Sequence, residues 1–228
     1  MTQAVAHRGD PYHFRENTLP SVRSALLKGA DVVEVDVQIT ADGQPILLHD
    51  PTLKRLWGHD EAVSALSADA VFKRTEGQVP SLADALAEIG GHAAGRLLLD
   101  LDETSQVAPS LDAVGAASLD DRVYYCGDLA AMREIRRLAP DAEIALTWTT
   151  SVRPGELLLA DIRPQWLNFR FGLIDATTVE WCRGRGLRVA AWTADWERSM
   201  GRLARLGVDS ITSNRLDALQ RVLRAAAG

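Results

Sequence analysis

The chain has 228 residues, of which 46% are hydrophobic and 25% are charged, and its formal net charge is −6. This length suits one α/β barrel, so we expect residues 1–228 to form a single domain. The acidic balance and the lack of a basic cluster argue against a nucleic-acid partner and favour a small molecule. No apolar run approaches the roughly 18 residues of a membrane span, and no signal-peptide pattern opens the chain, so we expect a cytoplasmic protein without a stable membrane anchor.

Eight short apolar runs alternate with amphipathic segments along the chain. The predicted strands cover residues 4–8, 32–39, 96–101, 123–126, 143–148, 166–170, 188–193 and 210–213. Helices are predicted in the gaps, for example in "SLADALAEIGG", where Ser81 and Asp84 form a capping pair and two glycines end the helix. Eight such βα units close naturally, so the predicted fold class is α/β, a (β/α)8 TIM barrel. Residues 50–80 are predicted to form an extra loop with a short helix at the barrel mouth.

Acidic residues interrupt two of the predicted strands. In "VVEVDVQI" the valines at 33, 35 and 37 face the helices, so Glu34 and Asp36 point into the barrel. Two inward carboxylates repel each other unless a cation lies between them. The next strand, "RLLLDLDE", turns Asp100 and Asp102 inward, and Asp100 completes a set of three oxygen ligands. Such a set suits Mg²⁺ or Ca²⁺ and suits zinc poorly.

Two histidines are predicted to meet at these acids. The first strand ends in "AHRG", which places His7 and Arg8 at its carboxyl end. After the second strand, the dipeptide 42–43, Asp-Gly, predicts a two-residue hairpin turn that pairs Thr40 with Pro45. This register sets Asp36 opposite His49, so the hairpin returns His49 to the level of the acids. Two histidines beside a hard metal, with an arginine nearby, indicate phosphate-ester chemistry.

Motifs spread over nearly the whole chain resemble those of the glycerophosphodiester phosphodiesterase family, which forms a (β/α)8 barrel. They are "AHRG" at 6–9, "ENT" at 16–18, "GADVVEVDVQITADGQPILLHD" at 29–50, "PSLADAL" at 80–86, "VAAWTAD" at 189–195 and "GVDSITSN" at 207–214. Their order along one chain makes the resemblance specific. It implies metal-dependent hydrolysis of glycerophosphodiesters to an alcohol and glycerol 3-phosphate.

The resemblance also implies roles for particular residues. His7 and His49 would be the acid/base pair, and Glu34, Asp36 and Asp100 would bind a divalent cation. Four further residues would lie near the phosphate or metal or line the substrate pocket: Arg8, Glu16, Asn17 and Trp192.

The chain departs from the family pattern at two places. The third strand usually reads Glu-x-Lys and here reads "DLD" at 100–102, so Asp102 replaces a cation that should touch the phosphate and weakens the local field. Arg170, at the end of the sixth strand, is a predicted substitute, as is Arg55 in the mouth loop. Asn214 stands where the family commonly has aspartate, and the sequence predicts no consequence.

These departures leave two alternatives open. One is a catalytically altered or silent metal-binding barrel of the same family. The other is a phospholipase D-type lyase on the same barrel, against which the missing signal peptide argues.

Overall fold

The computed structural model describes residues 1–227, with side chains through residue 226. Its strands are β1 Gln3–His7, β2 Val32–Ile39, β3 Pro45–Leu47, β4 Arg96–Leu101, β5 Val123–Gly127, β6 Ala145–Trp148, β7 Trp166–Arg170, β8 Arg188–Trp192 and β9 Ser210–Ser213. Its α-helices are α1 Leu19–Leu27, α2 Lys54–Trp57, α3 Ala68–Arg74, α4 Leu82–Gly90, α5 Val107–Ala117, α6 Leu129–Leu138, α7 Glu156–Ile162, α8 Ala176–Arg183, α9 Glu197–Leu206 and α10 Leu216–Ala227. Within the described residues, no helix is both long and apolar enough to cross a membrane.

Eight parallel strands form the barrel in the order β5-β4-β2-β1-β9-β8-β7-β6. The two ends of this path meet at a parallel bridge between Tyr125 and Ile144, so the sheet closes on itself. Helices follow the strands and cover the outside, as parallel strands buried on both faces require. The predicted TIM barrel and its eight strands are confirmed. β3 pairs antiparallel with β2 outside this circle and forms the extra hairpin.

Side-chain alternation along the strands divides the apolar residues into two cores. The valines at 33, 35 and 37 pack outward with residues of the helices, as predicted. The interior of the barrel is filled by a second set that includes Val5, Val32, Leu98, Tyr124 and Trp166. Because this second set fills the amino-terminal part of the interior, the inward residues at the carboxyl ends of the strands remain free to line a cavity.

The register predicted for the β2–β3 hairpin is wrong by one residue. Pro45 pairs with Ile39 rather than with Thr40. The physical reason lies in the turn, where Gly43 has a φ of +77° but Asp42 does not adopt a positive φ. A two-residue turn of the predicted type needs both residues in that region. The hydroxyl of Thr40 instead donates to the Asp42 carboxylate over 2.6 Å, and the loop becomes wider.

This shift changes the position of His49. The amide of Leu48 donates to the carbonyl oxygen of Asp36 over 3.1 Å, so Leu48 rather than His49 lies opposite Asp36. His49 follows one residue after the pairing ends, on the segment that enters the mouth insertion.

The mouth insertion, residues 50–80, is more structured than the predicted loop with one short helix. It contains α2, a 3-10 turn at Val63–Ala65, and α3. A separate apolar cluster supports it, made by residues that include Leu48, Leu53, Val63 and Val71. The insertion is therefore a small packed unit at the barrel mouth.

Candidate active site

A cavity of about 620 Å³ opens at the carboxyl ends of the barrel strands. This end is where TIM-barrel enzymes carry their sites, because the βα loops converge there. Eight residues singled out from the sequence line it: His7, Arg8, Glu34, Asp36, His49, Asp100, Asp102 and Trp192. Glu16, Asn17 and Arg170 do not line it. The structure thus brings most of the predicted set together on one surface.

Three carboxylates form the floor of the cavity. One oxygen from each of Glu34, Asp36 and Asp100 lies within 4.8 Å of the others. Glu34 and Asp36 are only 3% and 6% exposed, and Oδ1 of Asp100 is buried without a hydrogen-bond partner among the described atoms. Burial, and then the neighbouring carboxylates, raise the pKa of Glu34 well above its ordinary value and that of Asp100 to about 8. The described protein atoms therefore do not fully offset the repulsion that the cluster would have with all three carboxylates ionised.

A tight turn after β1 connects the first two strands of the site. Arg8 and Gly9 both adopt positive φ, of 58° and 87°. The turn aims the Arg8 amide at Glu34, which accepts it over 3.0 Å, and brings the Arg8 Nε within 3.0 Å of Asp36. A Cβ at Gly9 would lie 2.4–2.8 Å from atoms of Ser21, so the position requires glycine. Backbone strain of this kind is concentrated at functional sites.

Asn17 and Glu16 act behind the cavity wall. The Asn17 side-chain amide donates to Asp36 over 2.7 Å and accepts the Asp36 amide over 3.2 Å, which fixes that carboxylate. Glu16 accepts from Arg8 over 2.8 Å and from Arg55 over 2.7 Å. Burial alone would raise the pKa of Glu16, but the two arginines outweigh burial and lower it. Both residues therefore lie where they position Arg8 and Asp36.

His7 is held by an amide that sequence reasoning gave no role. Its Nδ1 lies 2.8 Å from Oδ1 of Asn214, and the Asn214 Nδ2 donates to Asp195 over 2.8 Å. Because Asp195 needs a donor, the amide oxygen must face His7, so Nδ1 of His7 carries a hydrogen. Nε2 then points to the carboxylates, 3.8 Å from Glu34. Burial, followed by the charge of Arg8, lowers the pKa of His7.

His49 has a charged partner instead. Its Nδ1 lies 2.7 Å from Oδ1 of Asp50, whose other oxygen accepts from Arg55 over 2.6 Å. The hydrogen bond from Arg55 lowers the pKa of Asp50. Asp50 was missed from the sequence, although its position directly after His49 was a usable signal. Arg55 was predicted as a substitute phosphate contact, yet Asp50 and Glu16 already occupy its guanidinium.

Two further predicted residues differ in placement. Trp192 lines the cavity, and its indole nitrogen donates to the carbonyl oxygen of Asn168 over 3.1 Å. Arg170 is exposed at the end of β7, in register with Trp192 but outside the cavity lining. Among the described lining residues, Arg8 is the one arginine or lysine. Within residues 1–226, no second arginine or lysine lines the cavity, so none takes the place of the family's lysine there.

A closed (β/α)8 barrel with an acidic, histidine-flanked cavity at the carboxyl ends of its strands is the architecture of a TIM-barrel enzyme. The model of the glycerophosphoryl diester phosphodiesterase family matches residues 7–218, so the chain belongs to that family and is a phosphodiesterase of the hydrolase class. Hydrolysis of glycerophosphodiesters is the reaction of this family. The resemblance drawn from the sequence motifs is therefore confirmed.

Individual relatives are similar to this chain over nearly its full length. A glycerophosphodiester phosphodiesterase of Caldanaerobacter subterraneus subsp. tengcongensis is 26% identical over 98% of both sequences. The crystal structure of a phosphodiesterase from Oleispira antarctica, in complex with the product sn-glycerol-3-phosphate, superimposes with a TM-score of 0.85 at 25% identity, covering 98% of this chain and 97% of that one. A glycerophosphodiester phosphodiesterase from Parabacteroides distasonis shares the fold, with a TM-score of 0.85 at 22% identity, over 100% and 98% of the two chains.

Proposed function

We propose that the protein hydrolyses glycerophosphodiesters to an alcohol and glycerol 3-phosphate, with His7 and His49 as the acid/base pair. Glu34, Asp36 and Asp100 would hold a divalent cation, Mg²⁺ or Ca²⁺. The observation that carries this proposal is the meeting of three carboxylate oxygens within 4.8 Å in a cavity that two histidines also line. The product bound to the Oleispira antarctica relative is sn-glycerol-3-phosphate, which supports the same product here.

The donor set fits a hard divalent cation. Carboxylate oxygens are the ligands that Mg²⁺ and Ca²⁺ prefer. The buried Oδ1 of Asp100 has no partner among the described atoms, as expected of a ligand awaiting a cation. A Cβ at Gly127 would lie 2.1 Å from the carbonyl oxygen of Leu101 and 2.8 Å from Oδ1 of Asp100, so the position beside this carboxylate requires glycine. When bound, the cation would neutralise the phosphate and polarise the attacking oxygen.

The remaining chemistry belongs to the histidines. One removes a proton from the nucleophile, which is either water or the substrate's own adjacent glycerol hydroxyl, and the other protonates the leaving alkoxide. Because Asn214 and Asp50 hold the Nδ1 atoms of His7 and His49, each ring keeps its Nε2 for this proton transfer. Arg8, ion-paired with Asp36 and hydrogen-bonded to Glu16, lines the cavity and would contact the phosphate.

Release of glycerol 3-phosphate from glycerophosphocholine and glycerophosphoethanolamine, with Mg²⁺, with Ca²⁺ and with chelator, tests the function. We expect release that depends on the cation and falls by about 100-fold or more in His7→Ala and in His49→Ala, the usual size of a general acid/base contribution. His59→Ala is the matched control, since His59 is exposed and does not line the cavity. Full activity of His49→Ala would overturn the acid/base assignment.

The same assay separates the alternatives. A folded protein that binds Mg²⁺ or Ca²⁺ in calorimetry but releases no glycerol 3-phosphate with either would indicate a silent or altered barrel. A cyclic phosphate as the final product, followed by phosphorus NMR, would indicate a lyase. Conversion of any cyclic species to glycerol 3-phosphate is the result expected of the hydrolase.

A further inference from the structure

Three side chains form a line of hydrogen bonds across three neighbouring strands. His7 ends β1, Asn214 directly follows β9, and Asp195 lies shortly after β8. β9 pairs with β1 on one side and with β8 on the other, so the line leads from His7 away from the cavity. Asp195 does not line the cavity, and Asn214 links it to His7.

The carboxylate of Asp195 is held through both of its oxygens. Oδ1 accepts the backbone amide of Asn214 over 2.8 Å and the hydroxyl of the buried Ser213 over 2.9 Å. Oδ2 accepts the side-chain nitrogen of Asn214 over 2.8 Å. An ionised carboxylate can only accept hydrogen bonds. Asp195 therefore admits one orientation of the Asn214 amide, with its nitrogen toward Asp195 and its oxygen toward His7.

The orientation of this amide decides which ring nitrogen of His7 carries the hydrogen. With the amide oxygen facing the ring, Nδ1 donates, and Nε2 is left bare on the side of the carboxylate floor, 3.8 Å from Glu34. If the amide were turned over, its NH2 group would donate to Nδ1, and the hydrogen would move to Nε2. The amide of Asn214 alone fits both arrangements, because its oxygen and nitrogen have nearly the same shape. The choice therefore comes from Asp195.

Asn214 is also one of the two departures from the family pattern, since aspartate is common at its position. In this chain the carboxylate stands one hydrogen bond further from His7, at Asp195. Aspartate and asparagine have the same heavy-atom shape, so an exchange of the two residues would keep every hydrogen bond of the line. An asparagine at 195 would still accept at Oδ1, and its Nδ2 would donate to an aspartate at 214 that accepts from His7.

We propose, resting on the function proposed above, that Asp195 is a positioning residue, which fixes the hydrogen of His7 on Nδ1 by way of Asn214. The line requires one carboxylate and one amide, and either order of the two meets the requirement. The asparagine at 214 is then compensated by the aspartate at 195, and Nε2 of His7 stays free for proton transfer.

Asp195→Asn tests the proposal, because two amide nitrogens would then face each other. Turning over the side chain at 195 would set its NH2 group against the backbone amide of Asn214, so the Asn214 side chain should turn over instead. Nitrogen-15 NMR of the metal-free protein at about pH 8, where an ordinary imidazole is neutral, reports the tautomer. We expect the hydrogen of His7 on Nδ1 in the wild-type protein and on Nε2 in Asp195→Asn, with His7→Ala identifying the signals. In the variant, kcat should fall by about 10- to 100-fold while KM stays nearly constant.

The exchange of the two residues provides a rescue. Asn214→Asp alone sets two carboxylates against each other, and Asp195→Asn alone sets two amides against each other. The double variant should restore the wild-type tautomer and a kcat within about threefold of the wild-type value, well above both single variants.

Asp209→Asn is the matched control for a loss of local structure. Oδ2 of Asp209 accepts the Val189 amide over 2.7 Å, so this carboxylate also joins the segments of β8 and β9, but at their amino ends. The variant should keep both the wild-type tautomer and the wild-type kcat. Losses equal to those of Asp195→Asn would overturn the proposal in favour of a purely structural role.

Two further results would overturn the positioning role. One is a hydrogen that stays on Nδ1 of His7 in Asp195→Asn, with kcat unchanged. The other is a double variant no more active than the single variants, and this comparison with Asn214→Asp decides even if Asp195→Asn does not fold.

The NMR measurement requires no turnover, so it separates this proposal from the proposed function. A change of tautomer in Asp195→Asn, without release of glycerol 3-phosphate from glycerophosphocholine by the wild-type protein, would support the positioning and overturn the reaction. Release by the wild-type protein, with the same tautomer in both proteins, would support the reaction and overturn the positioning.

Discussion

The barrel rim and the mouth insertion each contribute one histidine to the site, and each holds its histidine with a different kind of partner. On the rim, His7 has a side chain 19% exposed and is held by the neutral amide of Asn214. At the insertion, the His49 side chain is 42% exposed and is held by the carboxylate of Asp50, which is paired with Arg55. The rim also holds three acidic side chains close together, Glu34, Asp36 and Asp100. At the insertion, by contrast, Asp50 is paired with Arg55.

This difference predicts different sensitivities. Buried like charges respond strongly to pH and to a bound cation, because desolvation and repulsion both favour the protonated form. Exposed opposite charges respond to salt and contribute less to stability. Substitutions in the two regions should therefore differ in size and in kind.

The largest effect is expected on the rim, in the free energy of unfolding of the metal-free protein. The folded pKa of Asp100 is about 8, above its ordinary value of 3.8, so the folded state binds more protons between these limits and stability falls as pH rises through that window. Asp100→Asn cannot ionise. With chelator, we expect it to be more stable than the wild-type protein at pH 8, by about 5 kcal/mol.

Urea unfolding with chelator, at pH 4 and at pH 8, measures this difference. The advantage of Asp100→Asn should nearly disappear near pH 4, where the carboxyl is protonated in the folded state and only about half ionised in the unfolded state. Asp112→Asn is the exposed control and should show little change at either pH. An advantage of equal size at both pH values would contradict the raised pKa. Added Mg²⁺ or Ca²⁺ should stabilise the wild-type protein more than Asp100→Asn.

The next effect concerns the amide behind His7. Asn214→Leu removes the acceptor for Nδ1, so the neutral ring can place its hydrogen on Nε2 and lose the orientation that proton transfer needs. We expect kcat to fall by about 100-fold while KM stays nearly constant. Asn214→Asp keeps an acceptor for Nδ1 but loses the donor to Asp195, so it should retain more activity than Asn214→Leu. Equal losses in both variants would show that Asn214 only supports the local fold.

The inward direction of the acidic side chains on the rim could be predicted from the sequence, because successive side chains of a strand point to opposite faces. Once "VVEVDV" is a strand with its valines outward, Glu34 and Asp36 must face inward, and the same parity applies to Asp100. The link between His7 and Asn214 could not be predicted, since it joins residues 207 positions apart. It depends on β1 and β9 being neighbours when the barrel closes.

At the insertion, a hydrogen bond in the turn sets a strand register that the sequence did not predict. The choice between a two-residue turn and a wider loop depends on the Thr40 hydroxyl, which bonds to Asp42, and the choice shifts the register by one residue. The apolar residues of 50–80 have no regular period, so their own packed cluster was not predicted. Arg170 remains a predicted substrate contact, although it lies outside the cavity lining.

A smaller effect is expected from the partner of His49. Asp50→Asn keeps an acceptor for Nδ1 but removes the charge that stabilises a protonated ring, so we expect kcat to fall by about tenfold. The split between kcat and KM is the informative measurement, because Asp50 touches His49 and does not line the cavity. A change in KM alone would contradict a role through His49.

The smallest effect should come from Arg55, which touches Asp50 and Glu16 but no floor carboxylate. Because the pair with Asp50 is about half exposed on the arginine side, Arg55→Gln should lower kcat/KM by only about threefold. The wild-type protein should lose activity to a similar extent in about 0.5 M salt, where the Debye length falls to a few ångströms, while Arg55→Gln should change little. If salt lowered the activity of both proteins equally, the sensitivity would lie in substrate binding at the rim, and the contrast between the two regions would fail.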